Sequence, residues 1–521
     1  MNIVYLILHY LAGDDTIECV NSIIKATANS KHNTHIVVVD NGSTNDSYTK
    51  IQEKFKTNDK VTLLHSDKNL GFARGNNIGF KYAKNNLHAD FIVQLNNDTI
   101  LEQRDFNEVL VKKFDEKQYF VLGPDIVAAD GYHQNPGHKQ SWSFRELFCF
   151  RLKKRVQILL SLFGVQRFSE KAAKYSGYIE KTLVGDIENT ILHGACLVFS
   201  PLYIRRFDGL CEKTFLYWEE DILKLSADYY GFLMLYSSEL HLLHKEDAAT
   251  NMVSGSSAKK TRKKLSFLIA SSKVYSNLKF RMFFKKKAMS IVEKVVGTAK
   301  SGGYKIDLDT PMSYIANMVK ERVMMLVRGE IRLLFSKHGK KTFLGKNVIL
   351  KCKSKLHIGN YVSIQDNVYI DALSLQGLHL GDGCSIGKNS VIRCSGNMQQ
   401  LGIGFSMGKN SSLADNCFVG ATGGVFIGND VIGGQNIRFH SSNHNFKALN
   451  VLIRQQGVSA KGIRIGNDCW LGAGVVFCDG SSIGNGCVVA ANSVVTKKFP
   501  DNCVIAGVPA KIIKYRNASE I

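Results

Sequence analysis

Residues Ile465–Lys498 read IGNDCWLGAGVVFCDGSSIGNGCVVAANSVVTKK. Bulky apolar residues stand at Ile465, Leu471, Phe477, Ile483, Val489 and Val495, one every six positions. Gly466, Gly472 and Gly484 follow three of them, with Ala490 in the equivalent place. Four residues after each rung comes something small or branched: Cys469, Val475, Ser481, Cys487 and Ser493. A helix repeats every 3.6 residues and a strand every two, so neither gives a period of six. A coil of short flat strands does, and hexapeptide repeats are the signature of a parallel β-helix. The rungs then point into a narrow prism, the small residues fit its corners, and glycine permits close backbone approach.

The ladder begins well upstream. Ile358, Ile364 and Ile370 run six apart, as do Leu380, Ile386 and Ile392, and then Met407, Leu413 and Val419. Breaks at Asp371–His379 and Cys394–Gly402 predict surface loops, and Val425–Ile437 follows no register. A longer break opens at His440-Ser441-Ser442-Asn443-His444-Asn445-Phe446 and lasts to Gly462. Loops of that length inside a regular fold are commonly functional. Cys384, Cys417, Cys469 and Cys487 hold small-corner positions, and the twelve cysteines include no CxxC pair. Packing in a reduced cytoplasm is expected of them rather than disulfides or zinc. Ahead of the ladder, Ile315, Val319, Val323, Leu326 and Leu334 recur at helical spacing, with Thr310 as cap and Pro311 in the first turn. That helix is expected to link to the β-helix and to lid its open end, whose strand edges need cover.

The first third alternates apolar strand-like runs with helical ones. Asn2–Tyr10, Ile36–Val39, Val61–Leu64 and Phe91–Leu95 are the strands; Asp14 or Asp15 caps one helix and Arg74–Asn86 forms another. Continuous apolar strands between helices predict a mainly parallel sheet covered on both faces. Ligands of such sheets sit beyond the carboxyl ends of the strands, where Asp40 and Asp98 fall.

At 521 residues the chain exceeds one ordinary domain, and its 45% hydrophobic content suffices for cores. The formal charge is +22, with eleven Lys or Arg and no acid between Lys259 and Lys287. No nucleic-acid module accompanies that charge, so no nucleic-acid partner is expected. Anionic lipid headgroups or phosphorylated substrates suit it better. Apolar runs such as Val323–Val327 are far too short to span a bilayer, and Met1–Tyr5 lacks the basic start of a signal peptide. A cytoplasmic protein, peripheral on the inner face of the membrane, is expected. In the 138–180 insert, Arg151-Leu152-Lys153-Lys154-Arg155 leads into Val156–Phe163. A basic stem with an apolar face suits a membrane interface, an acceptor site or a packed helix alike.

Three motifs carry a family resemblance over about residues 1–285: Asp40-Asn41-Gly42-Ser43, Asn69–Asn77 (NLGFARGNN) and Leu95-Asn96-Asn97-Asp98-Thr99. They resemble those of family 2 glycosyltransferases of the GT-A fold, rhamnosyltransferase-like branch. The resemblance implies a nucleotide-sugar donor bound by Asp40, Asn41, Gly71, Arg74, Asn77, Asn97 and Asp98. It implies a divalent cation, Mg2+ or Mn2+, on Asp98 and His244, because a departing diphosphate needs a hard cation on oxygen ligands. Asn96 stands where many members carry an aspartate. His193-Gly194-Ala195-Cys196 resembles the turn lining the acceptor pocket, and Phe215-Leu216-Tyr217-Trp218-Glu219-Glu220-Asp221 resembles the motif of the catalytic base. Either Glu220 or Asp221 fits that role.

Residues 340–516 are similar to hexapeptide-repeat O-acetyltransferases of the galactoside and maltose type, with a left-handed β-helix. The carrying residues are Asn443-His444, Gln456-Gly457, Cys469–Gly474, Ala490–Lys497 and Ala506–Lys511. By that resemblance His444 is the base on the acceptor hydroxyl, with His440 as the alternative. Trp470, Ala473, Ala491, Thr496 and Lys497 meet acetyl-CoA, and Asn492 stands where glycine is common. A homotrimer is implied. The expected architecture is therefore multidomain: an α/β GT-A nucleotide-sugar-binding domain (1–285), a helical linker and cap (286–339) and an all-β left-handed parallel β-helix (340–516). The expected function is bifunctional: inverting transfer of a sugar to a glycan or lipid-linked glycan of a surface polysaccharide, capsule or O-antigen, and acetylation of a glycan hydroxyl. The alternative is a glycosyltransferase whose β-helix only trimerises it.

Overall fold

The computed structural model describes residues 1–137, 141–162, 183–245, 257–297, 305–334, 336–396 and 401–516. Two parts of the insert, 138–140 and 163–180, lie outside the described residues. The chain forms two compact units, Met1–Lys287 and Ala288–Ile521.

The first unit runs β1 (Asn2–His9), α1 (Gly13–Ala26), β2 (Asn33–Asp40), α2 (Ser47–Phe55), β3 (Val61–His65), α3 (Phe72–Asn85), β4 (Phe91–Asn96) and β5 (Thr99–Ile100). It continues α4 (Phe106–Lys117), β6 (Val121–Ala128), α5 (Phe144–Leu162), β7 (Asp186–Glu188), β8 (Cys196–Phe199), α6 (Pro201–Arg206), α7 (Glu219–Tyr230) and β9 (Met234–His244). The helix α8 (Ser257–Gly297) follows, and its residues through Lys287 belong here. Strand order is β3-β2-β1-β4-β8-β6-β9-β5, with β7 on β9. The first four strands are parallel, as the alternating pattern predicts. The other half is mixed, because β8 runs against both β4 and β6. Alternate residues of the strands face two layers: Tyr5, Ile7, Val38 and Val93 on one side, Val4, Leu6, Val37 and Ile92 on the other. That double burial explains why the strands are apolar throughout. At α1, Ala12 holds the cap position, and Asp14 and Asp15 instead lie in the first turn, where the helix dipole favours a negative charge.

In the second unit, helix α9 (Met312–Arg332) has Pro311 rather than Thr310 at its cap position. It packs against the first coil of the prism. Arg328 Nε donates to Leu344 O at 2.9 Å, and a Cβ on Gly329 would stand 1.9 Å from Thr342 O. Leu333, just beyond α9, is fully buried in the prism core. Three sheets of eight, nine and seven strands form the faces of a left-handed parallel β-helix. Its pairings are parallel up to a final antiparallel hairpin, Cys503–Gly507 with Ala510–Tyr515. Ile465 stacks on Ile483, eighteen residues on, so three hexads make one coil.

Val425–Ile437, which shows no register in sequence, continues the ladder. Its rungs are Ile427, Gly433 and Phe439, and a glycine in the middle rung hides the hexad. Leu413 Cδ2 and Ile437 Cδ1 close over Gly433, and Phe439 in the next rung stacks on Phe477 with ring centres 5.1 Å apart. Corners carry a column of asparagines: Asn347, Asn367, Asn389 and Asn416 pass Nδ2–H to Oδ1 bonds of 3.1–3.2 Å upward. Each has φ between 54° and 61°, a left-handed conformation that asparagine tolerates better than other side chains. All twelve cysteines are free. Among the described residues no helix is long and apolar enough to cross a membrane.

Candidate active sites

In the first unit the parallel register sets His9, Asp40 and His65 side by side at the carboxyl ends of β1, β2 and β3. Asp40 is fully buried; it accepts from His65 Nδ1 at 2.8 Å and from the Ser43 backbone N–H at 3.2 Å. His9 Nε2 stands 3.9 Å from it, and burial pulls the His9 pKa down to about 4, so this imidazole is neutral. His9 bonds Thr16 and Ser47 instead, at 2.8 and 2.9 Å. The motif reading did not single out either histidine, although each is the one polar residue closing an apolar strand.

Asn41 links two loops. Its Oδ1 accepts from Leu70 N, and its Nδ2 reaches Gly71 O at 3.3 Å. Gly71 has φ +85°, and a Cβ there would stand 2.4 Å from Phe215 O. Phe72 N–H donates to that same oxygen, so the loop before α3 is tied to the segment carrying the acidic triplet. Arg74 donates from Nε to Glu212 O at 2.9 Å. Asn77 points elsewhere: both ends of its amide are engaged with the Leu210 backbone, at 2.7 and 2.8 Å.

The turn after β4 presents Asn97 and Asp98. Asn97 Nδ2 donates to Thr16 Oγ1 at 3.1 Å. Pairing of Thr99 with His244 brings Asp98 beside a histidine 146 residues away, with Asp98 Oδ1 to His244 Nε2 at 3.1 Å. His244 Nδ1 donates to Gln134 Oε1 at 2.7 Å. An amide oxygen and a carboxylate oxygen both accept, so each ring nitrogen of His244 faces an acceptor. Gln134 holds one ring nitrogen so that the other is aimed at Asp98. The pair fits a cation as two ligands of a larger set. Among the described residues no cluster of three or more His, Cys, Asp or Glu gathers there.

The acidic triplet opens α7 after two consecutive left-handed residues, Tyr217 and Trp218. The three acids go separate ways. Asp221 Oδ1 accepts from the Trp142 indole N–H at 2.9 Å. Glu219 is buried, with its Oε1 unpartnered. Glu220 faces the Gly194 turn. A Cβ on Gly194 would stand 2.3 Å from Glu220 Oε1. Burial, then the neighbouring Glu219 and Asp221 charges, push the Glu220 carboxyl up to about 8.

In the second unit Ser441–Lys461 leaves the prism as an arm. Asn443–His444 pairs antiparallel with Val458–Ser459. Gln456 ties the arm together by bonds to Ala448 and Val451, and Gly457 turns it at φ +80°. His444 is exposed on this arm; His440 stays on the prism, its ring 5.5 Å from that of Phe418. Trp470, 58% exposed, flanks Val488 one coil on. Ala473 and Ala491 occupy the same corner of successive coils, and Ala473 O accepts from Asn492 N at 2.8 Å. Asn492 takes φ 58°, so it serves the corner where glycine is common. Thr496 and Lys497 are exposed, with Lys497 Nζ 5.5 Å from the Phe499 ring centre.

Comparison with known proteins agrees with this division. Residues 6–169 match glycosyl transferase family 2, and residues 462–497 match the bacterial transferase hexapeptide (six repeats). The chain thus fuses an N-terminal family 2 glycosyltransferase domain to a hexapeptide-repeat region similar to acetyltransferases. The galactoside O-acetyltransferase of Lactococcus lactis is 30% identical over 142 residues, covering 27% of this chain and 64% of that protein. The galactoside O-acetyltransferase of Escherichia coli is 36% identical over 94 residues, covering 18% of this chain and 45% of that protein. The chain spans less than two thirds of the length of these curated relatives. Among solved structures, a hexapeptide-repeat acetyltransferase of Vibrio cholerae in complex with acetyl coenzyme A is 19% identical, covering 43% of this chain and 98% of that one, with a TM-score of 0.23.

Proposed function

We propose that the chain is a bifunctional transferase of bacterial surface-polysaccharide synthesis, capsule or O-antigen. The first unit transfers a sugar with inversion from a nucleoside-diphosphate donor to a glycan or lipid-linked glycan, and the second acetylates a glycan hydroxyl from acetyl-CoA. The observation that carries the first activity is Glu220, a carboxyl of raised pKa aimed across the Gly194 turn. Glu220 takes the proton of the acceptor hydroxyl while that oxygen bonds the anomeric carbon and the bond to the diphosphate breaks. A carboxylate of raised pKa is a stronger base than an ordinary one. Asp221, held by Trp142, orients the helix start rather than the proton. Asp40 and Asn41 receive the nucleoside. Asp98 and His244 would hold a cation, Mg2+ or Mn2+, which neutralises charge growing on the diphosphate.

In the second unit, His444 takes the acceptor proton as the hydroxyl oxygen attacks the thioester carbonyl, and returns it to the departing thiolate of CoA. An imidazole has one ring nitrogen able to accept a proton and pass it on. The arm that carries His444 leaves Phe446, Leu449, Leu452 and Ile453 exposed. Apolar side chains in that number favour cover by a second copy, in keeping with a homotrimer whose acetyl-transfer sites lie between subunits. The protein would work at the inner face of the cytoplasmic membrane.

The test uses purified full-length protein, labelled donor sugar, labelled acetyl-CoA and candidate glycans. Asp98→Ala is expected to abolish sugar transfer and spare acetylation, and His444→Ala the reverse. Equal acetyl transfer by wild type and His444→Ala would remove the role given to His444.

A further inference from the structure

Helix α5 has apolar side chains on two opposite faces. Its inner face contributes Leu147 and Phe150 to a cluster with Trp142, Trp218, Ile222 and Tyr275. Its outer face carries Phe148, Leu152, Val156, Leu159 and Leu162, at helical spacing, between 46% and 63% exposed. A helix at the surface of a soluble unit ordinarily turns a polar face outward. Here the outward stripe is oily, with basic residues interleaved: Arg145, Lys153 and Arg155 are exposed beside it.

The second helix of the surface is α8. Arg151 Nη1 donates to Ser272 O, Arg262 Nη1 to Ser161 O, and the rings of Phe144 and Phe280 lie 6.5 Å apart. Numbers rising along one helix fall along the other, so the two pack antiparallel. On α8, Phe280, Phe283 and Phe284 are each half exposed, within a run of eleven basic residues free of acids from Lys259 to Lys287. Positive charge is crowded where the helices meet: burial, then Lys153 and Lys264, draw the Lys154 pKa down. Such a group gains from any anion brought near.

We infer that the α5–α8 pair is a membrane-docking surface that inserts Phe148, Leu152, Leu159 and Leu162 into the interface of an anionic lipid bilayer. An oily protein partner would satisfy the stripe and leave the cations unmatched; a nucleic acid would do the opposite. A bilayer with anionic headgroups supplies acyl chains and negative charge in one surface. The inference deepens the proposed transfer to a lipid-linked glycan and rests on it for its purpose. Trp142, at the foot of α5, bonds Asp221 and lies tilted against Trp218 with ring centres 5.1 Å apart, and Lys279 of α8 bonds Trp142 O. The docking helices therefore brace the start of α7, next to Glu220, where a membrane-borne acceptor would arrive.

Flotation of the full chain with vesicles decides the matter. The wild type is expected to float with phosphatidylcholine vesicles containing phosphatidylglycerol and not with phosphatidylcholine alone. Leu152→Glu with Leu159→Glu should lower partitioning by about tenfold or more, because charge is driven into the apolar layer. If that variant fails to fold, Lys153→Gln with Arg155→Gln is expected to weaken binding to the anionic vesicles alone. Sugar transfer to a soluble acceptor should survive in both variants, while transfer to a vesicle-borne acceptor falls. A wild type that ignores anionic vesicles, or variants that float equally well, would overturn the inference. So would a lower oligomer mass of the Glu variant without lipid, which would assign the stripe to a second copy. Loss of soluble-acceptor transfer in the wild type would sink the proposed function and leave the flotation result standing.

Discussion

Gly194→Ala is the sharpest single perturbation of the sugar-transfer site. The added Cβ would stand 2.3 Å from Glu220 Oε1, 3.3 Å from its Cδ and 3.7 Å from its Cγ. Ordinary van der Waals contact begins near 3.4 Å, so the carboxylate tip must retreat by roughly 1 Å while its stem stays put. The displaced atom ends a flexible side chain, and Gly194 is not among the glycines of positive φ, so the backbone accepts alanine without strain. The fold should therefore survive with little change in thermal midpoint. A misplacement of about 1 Å in a reacting group costs on the order of 10²-fold in rate. The assay is steady-state sugar transfer: kcat falls by about that factor, KM for the donor holds, and acetyl transfer by the same preparation is unchanged. Undiminished kcat in a correctly folded variant would refute the assignment of Glu220 as the base.

Four further outcomes follow from the geometry. A base raised to about 8 must lose its proton to work, so kcat/KM for sugar transfer should climb with pH and level off above about 8; Glu219→Gln, which removes a neighbouring like charge, should move that limb to lower pH. The same group is protonated when folded and ionises near its ordinary value when unfolded, so its contribution to stability is complete below pH 4.5 and is lost as pH rises through about 8, which pH-dependent melting would register. Gly433→Val should destabilise the β-helix by about 1–3 kcal/mol through overpacking, since even a Cβ would stand 2.8 Å from Leu413 Cδ2 and Ser412 O; denaturant titration followed by circular dichroism measures it. Asn389→Ala should cost about 1–2 kcal/mol by forcing alanine to φ 58°, and Asn389→Gly should cost less, because only the ladder bonds are lost.

Local repetition was legible and distant pairing was not. The prism could be read because each rung repeats every six residues whatever surrounds it. It vanished at Gly433, where a missing side chain is made good by Leu413 and Ile437, and no spacing rule reports that exchange. Asp40 and Asp98 could be found because strand ends gather ligands in open α/β sheets. His9 and His65 lie in the same row, yet their nearness to Asp40 depends on register between strands 25 to 31 residues apart. Glu220 and Asp221 stayed equivalent in sequence because their partners, Gly194 and Trp142, lie on other segments. The mixed half of the sheet was missed because β8 returns from a long excursion, and direction is not written in composition.

The arm that carries His444 has a consequence for how the second unit is made. Each coil pairs with the one before it, so a chain leaving the ribosome can lay down α9 and the first coil and then wind on, each new coil templated by the last. Most rungs close loops of 18 to 27 residues, whereas Ile427 must wait 38 residues for Ile465. Loop-closure cost grows only with the logarithm of length, and doubling a loop adds roughly 0.6 kcal/mol. A solenoid can thus host a chemically active excursion at almost no thermodynamic penalty, at the expense of one pause in winding. The arm can be lengthened or redrawn while the prism above and below it stays as it was.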